Sequence, residues 1–487
     1  MTKDEELEWL RKENAALREE VGHMAALREE LAKVKEHLQA LQDQQAKDSH
    51  NSSKPPSSDG FKRRTKSLRK KSGKQPGGQT GHQGHHVQRV EEPDEVVVHA
   101  VSSCGHCGSD LVEHPATQPE SRQVFDVPPQ RLWVVEHRAE EKACPQCGQL
   151  TRAAFPEAVR APAQYGAGLA GLAVYLVEGQ LVPYARAGQL VQEWFGVQMS
   201  AGSLASFVKQ CHGRLAGVEE QIKEALKKVA VLHQDETGVR VKKETHWVHV
   251  ASTTRLTHYA VQANRGRKAM EAIGISPAFR GVSMHDGLMS YRAFACEHAL
   301  CNAHHLRELT FVEEELTQQW AGKMKDLLLR MKARVEQAKA AGRSGLDPLS
   351  LLALSADYDH LLEQGWKANP PPSAPPDPPP GADGQAAVKR SRKQPPARKL
   401  LQRLQVGKRQ ALAFLYDFAV PNAFNQAERD LRMLKVQQKI SGGLRTQAGI
   451  EQVCRIRSYL STLHKQGADL FHALHQTLLG QPVLPAF

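Results

Sequence analysis

Three carboxylates stand where the sequence could hold a divalent cation. Asp235 closes the apolar run VAVLHQDET, and Asp286 closes GVSMHDG. An acid at the end of a strand, followed by a polar residue or glycine, projects from a rigid sheet edge into a cleft. Magnesium or manganese prefers oxygen ligands and keeps several waters, so a few carboxylates suffice when substrate phosphates complete the shell. Two such ions about 4 Å apart activate an attacking oxygen and stabilise a leaving one. Strand-end aspartates also cap turns, so two of them do not by themselves make a site. Glu428 in NQAERDLRMLK is the third acid. Its helix continues with Arg432, Lys435 and Lys439 at helical spacing, which sets one acid beside a row of phosphate-binding cations. Glu297, Glu308 and Glu313 compete for that role. They follow Asp286 closely, and none heads a basic helical face.

Cysteine supplies the second chemistry. Four of the eight cysteines form two knuckles, Cys104-Gly-His-Cys107-Gly and Cys144-Pro-Gln-Cys147-Gly. Each C-x-x-C offers two thiolates from one tight turn, and the glycine after it lets backbone amides face the sulfurs. Two knuckles complete a tetrahedral zinc site, whereas a redox pair needs only one. Zinc would then fold a small module too poor in apolar residues for a core of its own. His106 lies inside a knuckle and is not a ligand in this reading.

The elements that must position these groups follow from periodicity. Residues 1–46 read as one long helix, with Leu10, Leu17, Met24, Leu31 and Leu38 at seven-residue intervals and Asn14 on the same seam. This is a coiled-coil heptad with a three-residue stammer near Leu27, and it implies self-association into a homo-oligomer. Residues 47–86 are a polar, glycine- and proline-rich arm carrying Lys62, Arg63, Arg64, Lys66, Arg69, Lys70, Lys71 and Lys74. Such an arm suits tracking a phosphate backbone. Residues 87–160 hold the knuckles between short β-like runs, VVVHA and LWVVEH. Residues 161–227 are helical, and 184–210 have the pattern of a helix-turn-helix, with Gly196 at the turn and Ser200 capping the second helix. Strand-like runs VAVLHQD, THWVHVAS, THYAVQA and GVSMHD fill 228–312, with a helix near Arg267–Ile273. Residues 313–397 are helical and then proline-rich, ending in KRSRK. Residues 398–487 return to helix, broken at Ser441-Gly442-Gly443.

Composition bounds the partners. The 487 residues exceed one ordinary core, so several domains are expected. The net charge of +12 suits a partner made of phosphates, such as double-stranded DNA. At 6% aromatics, extended base-stacking platforms are not expected. The N-terminus has no apolar signal region, and the most apolar stretch, Tyr165 to Val177, is too short to span a bilayer. No membrane partner and a reducing cytoplasmic compartment are therefore expected.

With these segments in order, the chain resembles the insertion-sequence-66 family of bacterial transposases, of the TnpC type. The segments that carry the resemblance are NSSKPPSSD, GGQTGHQGH, CGHCG with CPQCG, LHQDETGV, HDGLMSY, CNAHHLREL, NQAERDLR, and KISGGLRT with SYLSTLHKQG. They cover nearly the whole chain. The resemblance implies a multidomain protein with an α/β RNase H-like catalytic core interrupted by a helical insertion. It implies a DDE triad of Asp235, Asp286 and Glu428, and cleavage and strand transfer at element ends and target DNA. It also implies small accessory proteins and a bacterial, nucleoid-associated setting. Cys301 and His304 match a C-x-x-H element with a structural or weak metal role. One segment departs from the family pattern: Asn422-Ala423-Phe424-Asn425 replaces an acid and an amide expected just before Glu428. A transposase-derived DNA-binding protein without catalysis, and a metal-dependent nuclease without strand transfer, remain the alternatives.

Overall fold

The structure is a computed structural model, and it describes residues 3–48, 50–52, 87–115, 120–127, 131–371, 394–423, 425–441 and 444–487. The cationic arm from Lys62 to Lys74 lies outside the described residues, as do most of the proline-rich stretch and KRSRK. In chain order the helices and strands are α1 (Lys3–Ala46), β1 (Glu141–Ala143), β2 (Leu150–Arg152), α2 (Ala167–Val174), α3 (Tyr184–Phe195), α4 (Ala201–Arg214) and α5 (Ala216–Leu226). They continue as β3 (Val231–Val241), β4 (Glu244–Ser252), β5 (Thr257–Gln262), α6 (Arg267–Ile273), β6 (Val282–His285), β7 (Glu297–Leu300), α7 (Asn302–Glu314), α8 (Gln319–Ala340) and α9 (Pro348–Ala368). The last are α10 (Pro396–Val406), α11 (Lys408–Ala411), α12 (Ala413–Tyr416), α13 (Asn425–Ser441), α14 (Gln447–Lys465) and α15 (Leu470–Leu479). The chain divides into two compact units. One comprises Met1–Leu68, Pro162–Gln189 and Met199–Phe487; the other comprises Arg69–Ala161 and Leu190–Gln198.

In the larger unit, α1 is one uninterrupted helix of 44 residues whose leucine seam is exposed along its length. At its foot Asn51 donates to the Ala46 carbonyl at 2.9 Å, and the Lys47 ammonium sits 5.1 Å from the Phe311 ring. The sheet that follows has strand order β5-β4-β3-β6-β7. β3, β4 and β5 form an antiparallel meander, and β6 and β7 run parallel to β3. Alternation decides which side chains meet. Val239 and Val241 of β3, with Val248, Val250, Tyr259, Val261 and Met284, share one core with Ala427, Leu431 and Leu434 of α13 and Ile450 and Val453 of α14. A second cluster, of Met270, Tyr291 and Phe294, joins α6 to a 3-10 turn at Met289–Ala293. Between β7 and α13 lies a helical bundle, α7 to α12, with a core of its own around Trp320, Met324, Tyr358 and Leu401.

The N-terminal helices of this unit are also packed. α2 lies against α15 and α4, and Leu204, Val208 and Cys211 put the apolar face of α4 into that core. Ser200 caps α4 by accepting the Ser203 N–H at 3.1 Å, as its spacing predicts. α3 begins in this unit and ends at Phe195, within the stretch assigned to the smaller one, where Gly196 follows it in the left-handed region at φ +70. α2 runs into a π-helical turn, Tyr175–Gly179, which buries Glu178. Burial pushes that carboxyl up to about 7, opposed by the Arg457 charge.

The smaller unit differs from expectation. VVVHA and LWVVEH form no strand there; among the described residues of this unit the paired backbone is the short, fully exposed β1–β2 hairpin and an isolated bridge from Ser103 to Asp110. β-branched alternation favours a strand when a neighbouring surface covers one face. Here Val96, Val98, Trp133 and Val134 stay exposed, so nothing selects the strand. Among the described residues no helix is long and apolar enough to cross a membrane.

Candidate active site

The register of the parallel strands sets the first two acids side by side. Val231 pairs with Val282 and His233 with Met284. Asp286 is as far along the chain from Asp235 as Val282 is from Val231, so both acids lie two residues past the last pair, where Asp286 is close enough to raise the Asp235 carboxyl. Asp286 follows the last residue of β6, and its Oδ1 accepts the Leu288 N–H at 2.9 Å. It therefore both ends a strand and caps a turn. Asp235 does not end its strand, contrary to the sequence reading. β3 continues to Val241, because its antiparallel pairing with β4 runs through Asp235↔Val250 to the hairpin. On the β6 side, however, pairing stops at His233, so Asp235 stands where the two strands part.

Glu428 comes from the first turn of α13, fixed by Ala427, Leu431 and Leu434 in the sheet core. Arg307 of α7 reaches its carboxylate at 3.4 and 3.5 Å, and His304 Nε2 lies 3.7 Å from it. Burial pushes the His304 pKa down despite Glu428, so this contact is that of a neutral imidazole rather than an ion pair. The fields of the acids overlap. The Asp235 carboxyl is held well above the usual range, first by burial, then by Glu236 and Asp286, with Glu428 a smaller contribution. The segment before α13 has its own brace: Asn302 donates to Asn422 Oδ1 and to the Ala411 carbonyl, both at 2.8 Å. Asn422 thus ties the departing segment to the start of α7.

Sequence reasoning missed an acid next to Asp235. The Glu236 side chain is 0% exposed, accepts the Tyr291 hydroxyl at 2.6 Å and pairs with Arg265 at 2.7 Å. Arg265 also lies 3.7 Å from Asp286 and 4.9 Å from the Trp247 ring centre. The signal was the Asp-Glu pair in QDET: adjacent strand residues point to opposite faces, so two acids in succession place one on each side.

The remaining sequence candidates separate. Arg432 and Lys439 are exposed on α13, whereas Lys435 donates to the Gly238 carbonyl at 2.7 Å and burial lowers its pKa. Cys301 is buried in the sheet core, apart from the His304 contact with Glu428. Glu297 is exposed at the start of β7, Glu308 pairs with Arg403, and Glu313 pairs with Lys325. Glu308 still acts through space on His304, the neighbour of Glu428.

The two cysteine knuckles adopt the same turn. Cys104 N–H donates to Ser109 O at 2.8 Å, and Gly108, at φ +75, donates to Cys104 O at 2.9 Å. Cys144 N–H donates to Gln149 O at 2.8 Å, and Gly148, at φ +70, donates to Cys144 O at 2.8 Å. Hydrogen bonds from Ser109 lower the Cys107 thiol to about 7, and backbone N–H groups of Cys147 and Gln146 lower Cys144. Thiols biased towards thiolate fit zinc. The acids, all oxygen donors under mutual repulsion, fit a hard divalent cation. Among the described residues, no three His, Cys, Asp or Glu side chains converge closely enough to hold a metal ion as they stand. Each knuckle is formed, but the four sulfurs are not gathered, and the three acids face one another without a shared centre.

Comparison with known families agrees with this division. Residues 162–452, more than half of the chain, match the transposase IS66 family. Residues 102–148 match the zinc-finger binding domain of transposase IS66, and residues 2–88 match a family of unknown function. No curated protein matches the chain. The chain belongs to the IS66 transposase family and carries that family's zinc-finger domain, which places it among DNA-processing enzymes.

Proposed function

We propose, with that membership as premise, that the chain is a DDE transposase that cuts DNA at the ends of its element and joins them to a target. The observation that carries the proposal is the register that sets Asp235 and Asp286 each two residues past the last pair of β3 and β6, together with Glu428 brought beside them by α13. The strand order, three antiparallel strands followed by two parallel ones, supports an RNase H-like reading of the sheet.

Asp235, Asp286 and Glu428 would hold the divalent cations, magnesium or manganese. When bound, such ions make water a better nucleophile and neutralise charge on the leaving oxygen. Water opens a phosphodiester at the element's end and leaves a 3′-OH, which then attacks the target strand in line. No serine or tyrosine nucleophile is required. The chain's own contribution is placement: two acids on a rigid sheet and one on a helix that docks only in the folded domain. Arg307 and the neutral His304 orient Glu428, and Asn422 fixes the loop that precedes it. Exposed Arg432 and Lys439 and the arm from Lys62 to Lys74 would hold DNA backbone.

Cys104, Cys107, Cys144 and Cys147 would share one structural zinc. The exposed leucine seam of α1 would pair with a second copy. Accessory proteins complete the partners that the family suggests.

The test is cleavage of a duplex carrying the element's end, with magnesium. Asp235→Asn, Asp286→Asn and Glu428→Gln should each lower cleavage by several orders of magnitude while leaving metal-free DNA binding in place. Parental cleavage in Asp235→Asn would overturn the mechanism. Parental cleavage in Glu428→Gln, with loss in Glu297→Gln, Glu308→Gln or Glu313→Gln, would move the third acid. Cleavage without joined products would reduce the chain to a nuclease.

A further inference from the structure

Arg265 is built unlike a surface arginine. It follows β5 in the loop before α6, and Asn264 beside it offers its carbonyl to His249 Nε2 at 3.4 Å. Its Nε and Nη2 both reach Glu236 Oε1, at 2.8 and 2.7 Å, and its guanidinium lies over Trp247. The acid that anchors it is buried. The Glu236 carboxyl is pushed up by desolvation and Asp286, and the Tyr291 hydroxyl and Arg265 compensate. A buried carboxylate is costly unless paired, and replacing such a pair by apolar residues is often neutral or better for stability. Yet the arginine of this pair is 41% exposed, and its Nη2 is 3.7 Å from Asp286. Among the described residues the partners of Arg265 meet Nε and Nη2, and Nη1 faces none of them.

We propose that Arg265 binds a backbone phosphate of the DNA strand lying across the acids, with Glu236, Tyr291 and Trp247 as the brace that aims it. The inference rests on the catalytic reading above and extends it to the placement of the strand. An arginine with one edge fixed to a carboxylate and its face on an indole has already lost most of its rotamer freedom. Its open edge then meets a phosphate at little further entropic cost. Its position next to Asp286 puts that phosphate within the reacting stretch rather than on a remote flank. The guanidinium also offsets repulsion between DNA and the two carboxylates it lies beside, those of Glu236 and Asp286.

The test uses the zinc-loaded full chain without added magnesium or manganese, and duplexes of the element's end in which one phosphate at a time is a neutral methylphosphonate. Binding is read by fluorescence anisotropy across a salt series. Parent protein should lose affinity at several modified positions. Arg265→Gln should bind unmodified duplex about tenfold more weakly, and its salt slope should fall by about 0.9, the value of one phosphate contact. One modified position close to the cut should cease to matter in that variant. Arg265→Lys should keep the slope, and Glu236→Gln, which loosens the aim, should weaken binding at the same position. An Arg265→Gln protein that melts as the parent does and gives the parental map and slope overturns the inference. If Arg265→Gln does not fold, a Glu236→Gln map identical to that of the parent overturns it. Failure of the catalytic reading looks different: parent protein would cut nothing with magnesium, while the map still lost its position in Arg265→Gln.

Discussion

The sheet domain and the cysteine module solve the problem of placing charged ligands in opposite ways. In the sheet domain, Asp235, Asp286 and Glu428 are carried by elements whose apolar faces close one core, from Val239 and Met284 to Leu434 and Ile450. Arg265 lies beside Asp286 and Arg307 beside Glu428, Asp235 accepts the Glu236 N–H, and Asn302 braces the segment that leads into α13. In the cysteine module the hairpin strands are three residues long and exposed, and Trp133 remains 87% exposed. Its order is local to each knuckle. Burial thus fixes the elements that carry the carboxylates, whereas the two cysteine turns have no common core to fix one against the other.

The largest consequence concerns zinc. Structural zinc contributes on the order of 10 kcal/mol to folding in small modules. Purified protein should carry about one zinc per chain, and a chelator or Cys144→Ser should release it. Amide exchange should then rise across 100–150 while protection of β3 to β6 is unchanged. A sheet domain that loosened together with the module would erase the contrast.

Core truncation sharpens it. Leu434→Ala removes a side chain buried between α13 and the sheet and should cost about 2–5 kcal/mol. Trp133→Ala, although a larger deletion, should stay within about 0.5 kcal/mol, since the ring covers nothing. Urea unfolding of both variants decides. Equal losses would mean that the module has a core after all.

A pH effect of similar size should come from Glu178. Its carboxyl is raised to about 7 from an ordinary 4.5, chiefly by burial. The unfolded chain gives up that proton from pH 4.5, the folded chain only near 7, so the parent loses stability as pH rises between them. The loss integrates to about 3 kcal/mol. Glu178→Gln has no proton to lose. Its stability relative to the parent should rise through that window and level off above it. Melting curves with the same pH dependence in both proteins would show that Glu178 titrates normally.

What the sequence made legible follows the same contrast. The runs at β3 to β6 alternate against a real core, which makes the sheet legible, and the spacing of Arg432, Lys435 and Lys439 makes the helix of Glu428 legible. β7, four residues of EHAL, was missed because it is too short to show a period. Asp235 reads as a strand end because it closes the apolar run VAVLHQDET and a polar residue follows it. Pairing with β4, a long-range contact, carries the strand past it. In the module the same alternation in VVVHA and LWVVEH indicated strands that have nothing to pack on. Glu236, Arg265 and Tyr291 could not be linked from spacing alone, since their partnership depends on how the loop after β5 folds back.

Metal binding tests the central claim most directly. Manganese can be titrated into the zinc-loaded full chain and the free ion counted by electron paramagnetic resonance. The account predicts that binding in the parent is weakened strongly by Asp235→Asn, Asp286→Asn and Glu428→Gln, and is unaffected by Glu313→Gln, whose carboxylate is engaged with Lys325. Parental manganese binding in any one of the first three would contradict the assignment of that acid, and parental binding in all three would contradict the site.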